Sequence, residues 1–132
     1  MNDLEKVLRS MTLEFFGTGQ HKTSPSAHFA KKDAMFLDVR SVEEHKSISF
    51  SLLYHMPVIH IPICEIPTRS NEIPRDKIIG IFCSSGSRAS MVYLYLRSLG
   101  FDKVRIIEGG YPELAGEFKP GKLLKFINQK EK

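Results

Sequence analysis

Two cysteines among 132 residues are too few for a disulfide framework, so a reducing, cytoplasmic setting is expected. Long apolar runs are also missing. The longest, "ISFSLLYHMPVIHIPIC", is broken by His55, Pro57, His60 and Pro62 and falls short of the ~20 residues a membrane span needs. The opening "MNDLEKVLRSMTLEFF" mixes charges and has no apolar signal core, so no secretory signal is expected. Neither C-x2-C nor H-E-x-x-H spacing occurs, which argues against a zinc site. His60, alternating with isoleucines, reads as a satisfied core or edge histidine. "GEFKPGKL" (116–123) mimics a phosphate-binding loop, but Leu123 replaces the magnesium-binding hydroxyl and Pro120 removes a backbone donor. No arginine-rich stripe with interleaved aromatics accompanies the net charge of +4. The basic C-terminal residues Lys119, Lys122, Lys125, Lys130 and Lys132 therefore read as a solvated helix face and tail, with no nucleic-acid or membrane partner.

What remains is an ordinary globular composition, 42% hydrophobic and 26% charged, sized for one domain. No repeat, low-complexity segment or linker divides it. Four apolar runs stand out: "AMFLDV" (34–39), "VIHI" (58–61), "IIGIFC" (78–83) and "VRII" (104–107). They do not alternate with polar residues, as befits strands buried on both faces of a parallel sheet. Helical patterns fall between them, so the fold class is α/β. Ser24 and Pro25 open one helix as N-cap and first residue. Val92, Tyr95, Leu96 and Leu99 share one face of another, with Tyr93 and Arg97 pointing away, and Gly100 is placed for a left-handed cap. An N-terminal helix carries Leu4, Val7, Leu8 and Met11 on one side. Further helices are expected at 112–115 and over "GKLLKFINQ".

The chemistry concentrates where the third run ends. "CSSGSR" (83–88) joins a buried strand to a helix N-terminus, where backbone N–H groups lack partners and the helix dipole is positive. A loop of Ser84, Ser85, Gly86 and Ser87 has little bulk, so its N–H groups can curl around one point as an anion nest. Arg88 adds a guanidinium fork. Helix N-termini and nearby cations favour a thiolate over a thiol. Cys83 is therefore the candidate nucleophile. Cys64, in "HIPICEIP" with no cation cluster, reads as core packing.

From Asp38 to Leu114 the chain resembles the rhodanese family of single-domain sulfurtransferases. The resemblance rests on "LDVR" (37–40) with Glu43 and Glu44, "CSSGSR" with Ser90, "YLRSLGF" (95–101) and "VRIIEGG" (104–110). It implies a mostly parallel five-stranded sheet flanked by helices, as one domain over 1–132: an extension at 1–22, a core at about 23–118 and a C-terminal helix at about 120–129. It also implies that Cys83 takes sulfane sulfur from a small anionic donor such as thiosulfate. The sulfur is held as a persulfide and passed to a thiol, cyanide or protein acceptor, without metal or organic cofactor. Residues Ser84 to Arg88 would cradle the outer sulfur, with the Arg88 side chain contacting the donor. Asp38 and Arg40 would brace the sheet end.

Four residues separate Cys83 from Arg88. Phosphatases and arsenate reductases on the same scaffold have one more, and would place arginine at Ala89. That oxyanion-handling alternative, and a non-catalytic rhodanese-like interaction module, are the competing readings. The chain departs from the family pattern at "YHMPVI", reached through extra sequence over 45–57, and at Leu114, where an aromatic is usual. His55 could approach the active loop. Phe50, Leu52, Leu53 and Met56 would cover an apolar face near that loop, and the segment could bound an acceptor-docking surface.

Overall fold

The computed structural model describes residues 1–130; Lys132 of the basic tail lies outside them. Among them are five strands, β1 (Lys22–Thr23), β2 (Ala34–Asp38), β3 (Val58–His60), β4 (Ile78–Phe82) and β5 (Val104–Ile107). All run parallel in one sheet, in the order β1-β5-β4-β2-β3. The four apolar runs supply β2 to β5, all within the limits expected. The edge strand β1 has two residues, too few for any periodicity to show.

Period-two alternation splits the core into two layers. Met35 and Leu37 of β2 and Ile79 and Ile81 of β4 face one layer, shared with Val92 and Leu96 of α6 (Ser87–Ser98). Phe36 and Phe82 face the other, with Phe29 of α3 (Pro25–Phe29), Leu114 of α7 (Gly110–Ala115) and Phe126 of α8 (Pro120–Lys130). Ser24 caps α3 through a 3.1 Å bond from the Ala27 N–H, as its spacing suggested. Within the second layer His28 is fully buried, its Nε2–H donating to the Met35 carbonyl at 2.8 Å. Gly80 makes room for that ring: a Cβ there would lie 2.4 Å from Nε2.

Several helix faces differ from the sequence reading. Tyr93 is buried and Leu99 is exposed, because α1 (Asp3–Ser10) lies against α6. Met11 and Phe15 join the same cluster as Tyr93, so α6 is covered on a second side. On α1 itself only Val7 is buried, while Leu4 and Leu8 face solvent. Gly100 takes the expected left-handed φ of 94°. Cys64 is exposed, contrary to its core assignment. It sits in a 3-10 turn, Ile63–Glu65, that packs Ile63 and buries Ile66 but turns the residue between them outward. No helix among the described residues is long and apolar enough to cross a membrane.

Candidate active site

After β2 the chain turns outward to β3, and after β4 it turns the opposite way to β5. The crevice between the carboxyl ends of β2 and β4 is thus a topological switch point, where open α/β sheets bind ligands. Asp38 and Phe82 are register partners at that end, so Cys83 emerges beside the "DVR" segment.

Cys83 lies one residue past β4, fully buried. Its Sγ accepts hydrogen bonds from the N–H groups of Gly86 (3.0 Å) and Ala89 (3.3 Å). Ala89 is the third residue of α6, and the N-cap position, Gly86, has no side chain to cap the helix. The sulfur therefore occupies the acceptor position that a serine or aspartate N-cap oxygen would fill. Gly86 reaches this geometry with φ 91°, a region that side-chain-bearing residues adopt at a cost. The N–H groups of Ser84, Ser85, Ser87 and Arg88 have no acceptor among the described residues. A cavity of about 410 Å³ opens beside the loop, lined by His21, Lys22, Ser85, Gly86, Ser87 and Ser90.

Asp38 and Arg40 form a buried bidentate pair. Arg40 Nε and Nη2 donate to the two carboxylate oxygens at 2.8 and 2.7 Å, and Nη1 donates to the Tyr111 hydroxyl at 3.0 Å. The guanidinium lies 4.9 Å from the Phe50 ring centroid and 5.6 Å from that of Tyr111. Burial alone would push the Asp38 carboxyl up, but the Arg40 hydrogen bonds outweigh it and hold it below the usual range. This pair ties β2 to α7, whose start touches the active loop. A Cβ on Gly110 would lie 2.2 Å from the Ser84 carbonyl oxygen.

Beside it, ligand atoms of Asp38, His45 and His60 lie within 4.8 Å of one another. Both Asp38 oxygens are already taken by Arg40. His60 Nε2–H donates to the Arg40 carbonyl at 2.8 Å, and His45 stacks on His60 at 4.0 Å. Geometrically this is a hydrogen-bonded support for the Asp38–Arg40 pair, and a cation there would face the Arg40 guanidinium. His60 is satisfied at the edge strand, as its alternation suggested. His55 sits away from the loop, packed among Phe29, Phe118 and Phe126.

Sequence reasoning missed a role for Glu44. Arg88 Nη1 and Nη2 donate to its two oxygens, the latter at 2.9 Å, and Nη2 also donates to Ser84 Oγ at 3.0 Å. Glu44 belongs to α4 (Val42–Ser47), where it closes a capping box with Ser41. The S-x-x-E spacing was a signal for that cap, but not for a partner 44 residues away. Hydrogen bonds from Arg88 and Ser41 hold the Glu44 carboxyl down at about 2, against the opposing effect of its burial.

Sheet order, switch-point cysteine and the Cys83–Arg88 segment agree with the rhodanese-like arrangement that the sequence motifs imply. The rhodanese-like domain family matches residues 25–117, and the chain belongs to that family. It is 30% identical over 79 residues to a sulfurtransferase of Allochromatium vinosum, covering 60% of this chain and 69% of that protein. Among solved structures, the rhodanese-related protein of Thermoplasma volcanium superposes with a TM-score of 0.64 at 26% identity, over 76% of this chain and 95% of that one. The NAD-dependent persulfide reductase of A. fulgidus contains a region 39% identical, with a TM-score of 0.57, covering 74% of this chain and 17% of that one. Several curated relatives are much longer proteins, of which the chain spans between 15% and 41%.

Proposed function

We propose that this chain transfers sulfane sulfur through a persulfide on Cys83, loading it from a donor such as thiosulfate and passing it to a thiol, cyanide or protein acceptor. The observation that carries the reading is the sulfur's position, bonded to the N–H groups of Gly86 and Ala89, with four neighbouring N–H groups left without an acceptor among the described residues. In the loading step the Cys83 thiolate attacks the donor's outer sulfur. The new S–S bond forms as the donor's own S–S bond breaks, and its electron pair leaves on sulfite. The extra sulfur then carries the negative charge, within reach of preorganised N–H donors that need not reorganise to receive it. An incoming thiolate or cyanide attacks that outer sulfur and regenerates the Cys83 thiolate. No step calls for a metal or organic cofactor. The names of two relatives, a sulfurtransferase and a persulfide reductase, are in keeping with this chemistry.

The test is thiocyanate formation from thiosulfate and cyanide. Cys64→Ser is expected to retain it and Cys83→Ser to lose it. Transfer surviving in Cys83→Ser would overturn the reading, as would hydrolysis of an aryl phosphate in place of sulfur transfer.

A further inference from the structure

We infer that Glu44 is a specificity-determining residue that, by neutralising Arg88 at the mouth of the loop, turns the site away from doubly charged donors and toward organic persulfides. The inference rests on the persulfide reading above and concerns which donor loads Cys83.

The family resemblance implies that the Arg88 side chain contacts the donor. The structure shows its fork already closed on a carboxylate, with three donated bonds going to Glu44 and Ser84. Glu44 is not free to swing aside. Its Oε1 also accepts from the Ser41 N–H at 3.1 Å and from Ser41 Oγ at 2.9 Å, which anchors it to the first turn of α4. The two side chains remain 28% and 32% exposed, so the pair faces solvent at the site and is not part of the core. With a carboxyl held at about 2, Glu44 is charged at any pH where a thiolate could react.

The two donor classes differ in the charge they bring to this place. Thiosulfate carries two negative charges, and the attacking thiolate adds a third, all close to a carboxylate that has cancelled the nearby guanidinium. For a neutral persulfide R–S–SH the attack gives Cys83–S–SH and R–S⁻. One S–S bond forms, one breaks, the proton stays on the transferred sulfur, and the reacting sulfurs hold only the single charge of the thiolate, two fewer than with thiosulfate. A like charge placed opposite a ligand suppresses that ligand more than it favours another. Removing it is expected to change thiosulfate use by about tenfold, the effect of one unit charge several ångströms away at a partly solvated site. Glu44 acts here through Arg88, as a positioning residue.

The experiment compares kcat/KM for thiosulfate and for cysteine persulfide, with a common thiol acceptor, in the full chain and in Glu44→Gln. The amide keeps the shape and an acceptor for Ser41 while dropping the charge. Wild type should prefer the persulfide, and Glu44→Gln should shift the thiosulfate-to-persulfide ratio by about tenfold toward thiosulfate. Should Glu44→Gln fold poorly by its melting curve, Glu44→Asp, which withdraws the carboxylate by one methylene, must shift the ratio in the same direction. A ratio unmoved in both variants, with both donors slowed equally, assigns Glu44 a structural role and overturns the inference while leaving the persulfide reading intact. If neither donor adds sulfur to Cys83 in wild type, both fall.

Discussion

Gly86 and Gly110 both hold left-handed backbone at the active loop, with φ of 91° and 59°, yet their surroundings differ. A Cβ on Gly86 would meet nothing within 4 Å. Gly86→Ala therefore costs the conformational term alone, about 1–2 kcal/mol. A Cβ on Gly110 would lie 2.2 Å from the Ser84 carbonyl oxygen, a backbone atom that cannot rotate away. Gly110→Ala carries the same conformational term plus a clash of about 1–3 kcal/mol. It also pushes Ser84 by about 1 Å, a displacement that can cost on the order of 100-fold in rate. The assays are urea unfolding and the rate of sulfur loading from thiosulfate. Gly110→Ala is expected to lose more stability than Gly86→Ala and to slow loading by about 100-fold, with Gly86→Ala slowing it far less. Equal losses in both measurements would refute the claim that α7 buttresses the loop through this contact.

Two further perturbations act on the scaffold. Burial lowers the His28 pKa from 6.5 to about 4, outweighing its bond to the Met35 carbonyl. As pH falls below 6.5 the unfolded chain takes up a proton that the folded chain refuses, so stability falls by about 3 kcal/mol down to pH 4 and this contribution then levels off. Urea titrations across that range should show the slope, and His28→Gln should flatten it; an unchanged slope in the variant would contradict the assignment. Asp38→Asn leaves the fully buried Arg40 guanidinium without its counter-charge, and should cost about 3–5 kcal/mol in unfolding experiments. A loss below about 1 kcal/mol would mean that Tyr111 and the surrounding rings suffice.

The parts of this site that sequence made legible are the ones built locally. A buried strand, a run of small residues and a helix start follow one another between Ile78 and Ser98, so the cysteine's setting could be read from neighbours in the chain. Contacts made at a distance were not legible. Glu44 meets Arg88 across 44 positions, Tyr111 meets Arg40 across 71, and Gly110 meets Ser84 through a backbone atom that no pattern encodes. Tyr93 was misplaced for the same reason, since helical periodicity cannot show that α1 covers a second face. Cys64 looked apolar by its neighbours, yet a 3-10 turn set its direction. In the segment 45–57, Leu52 and Met56 do cover the core, and Phe50 lies over the Arg40 guanidinium, while Leu53 is 72% exposed.

Whether Cys83 holds transferable sulfur is decided by the intact mass of the protein after thiosulfate treatment. A gain of one sulfur atom is expected, mapped to Cys83, retained in Cys64→Ser, absent in Cys83→Ser and removed by cyanide. An adduct mapped to the exposed Cys64, or none on either cysteine with any sulfane donor, would contradict it.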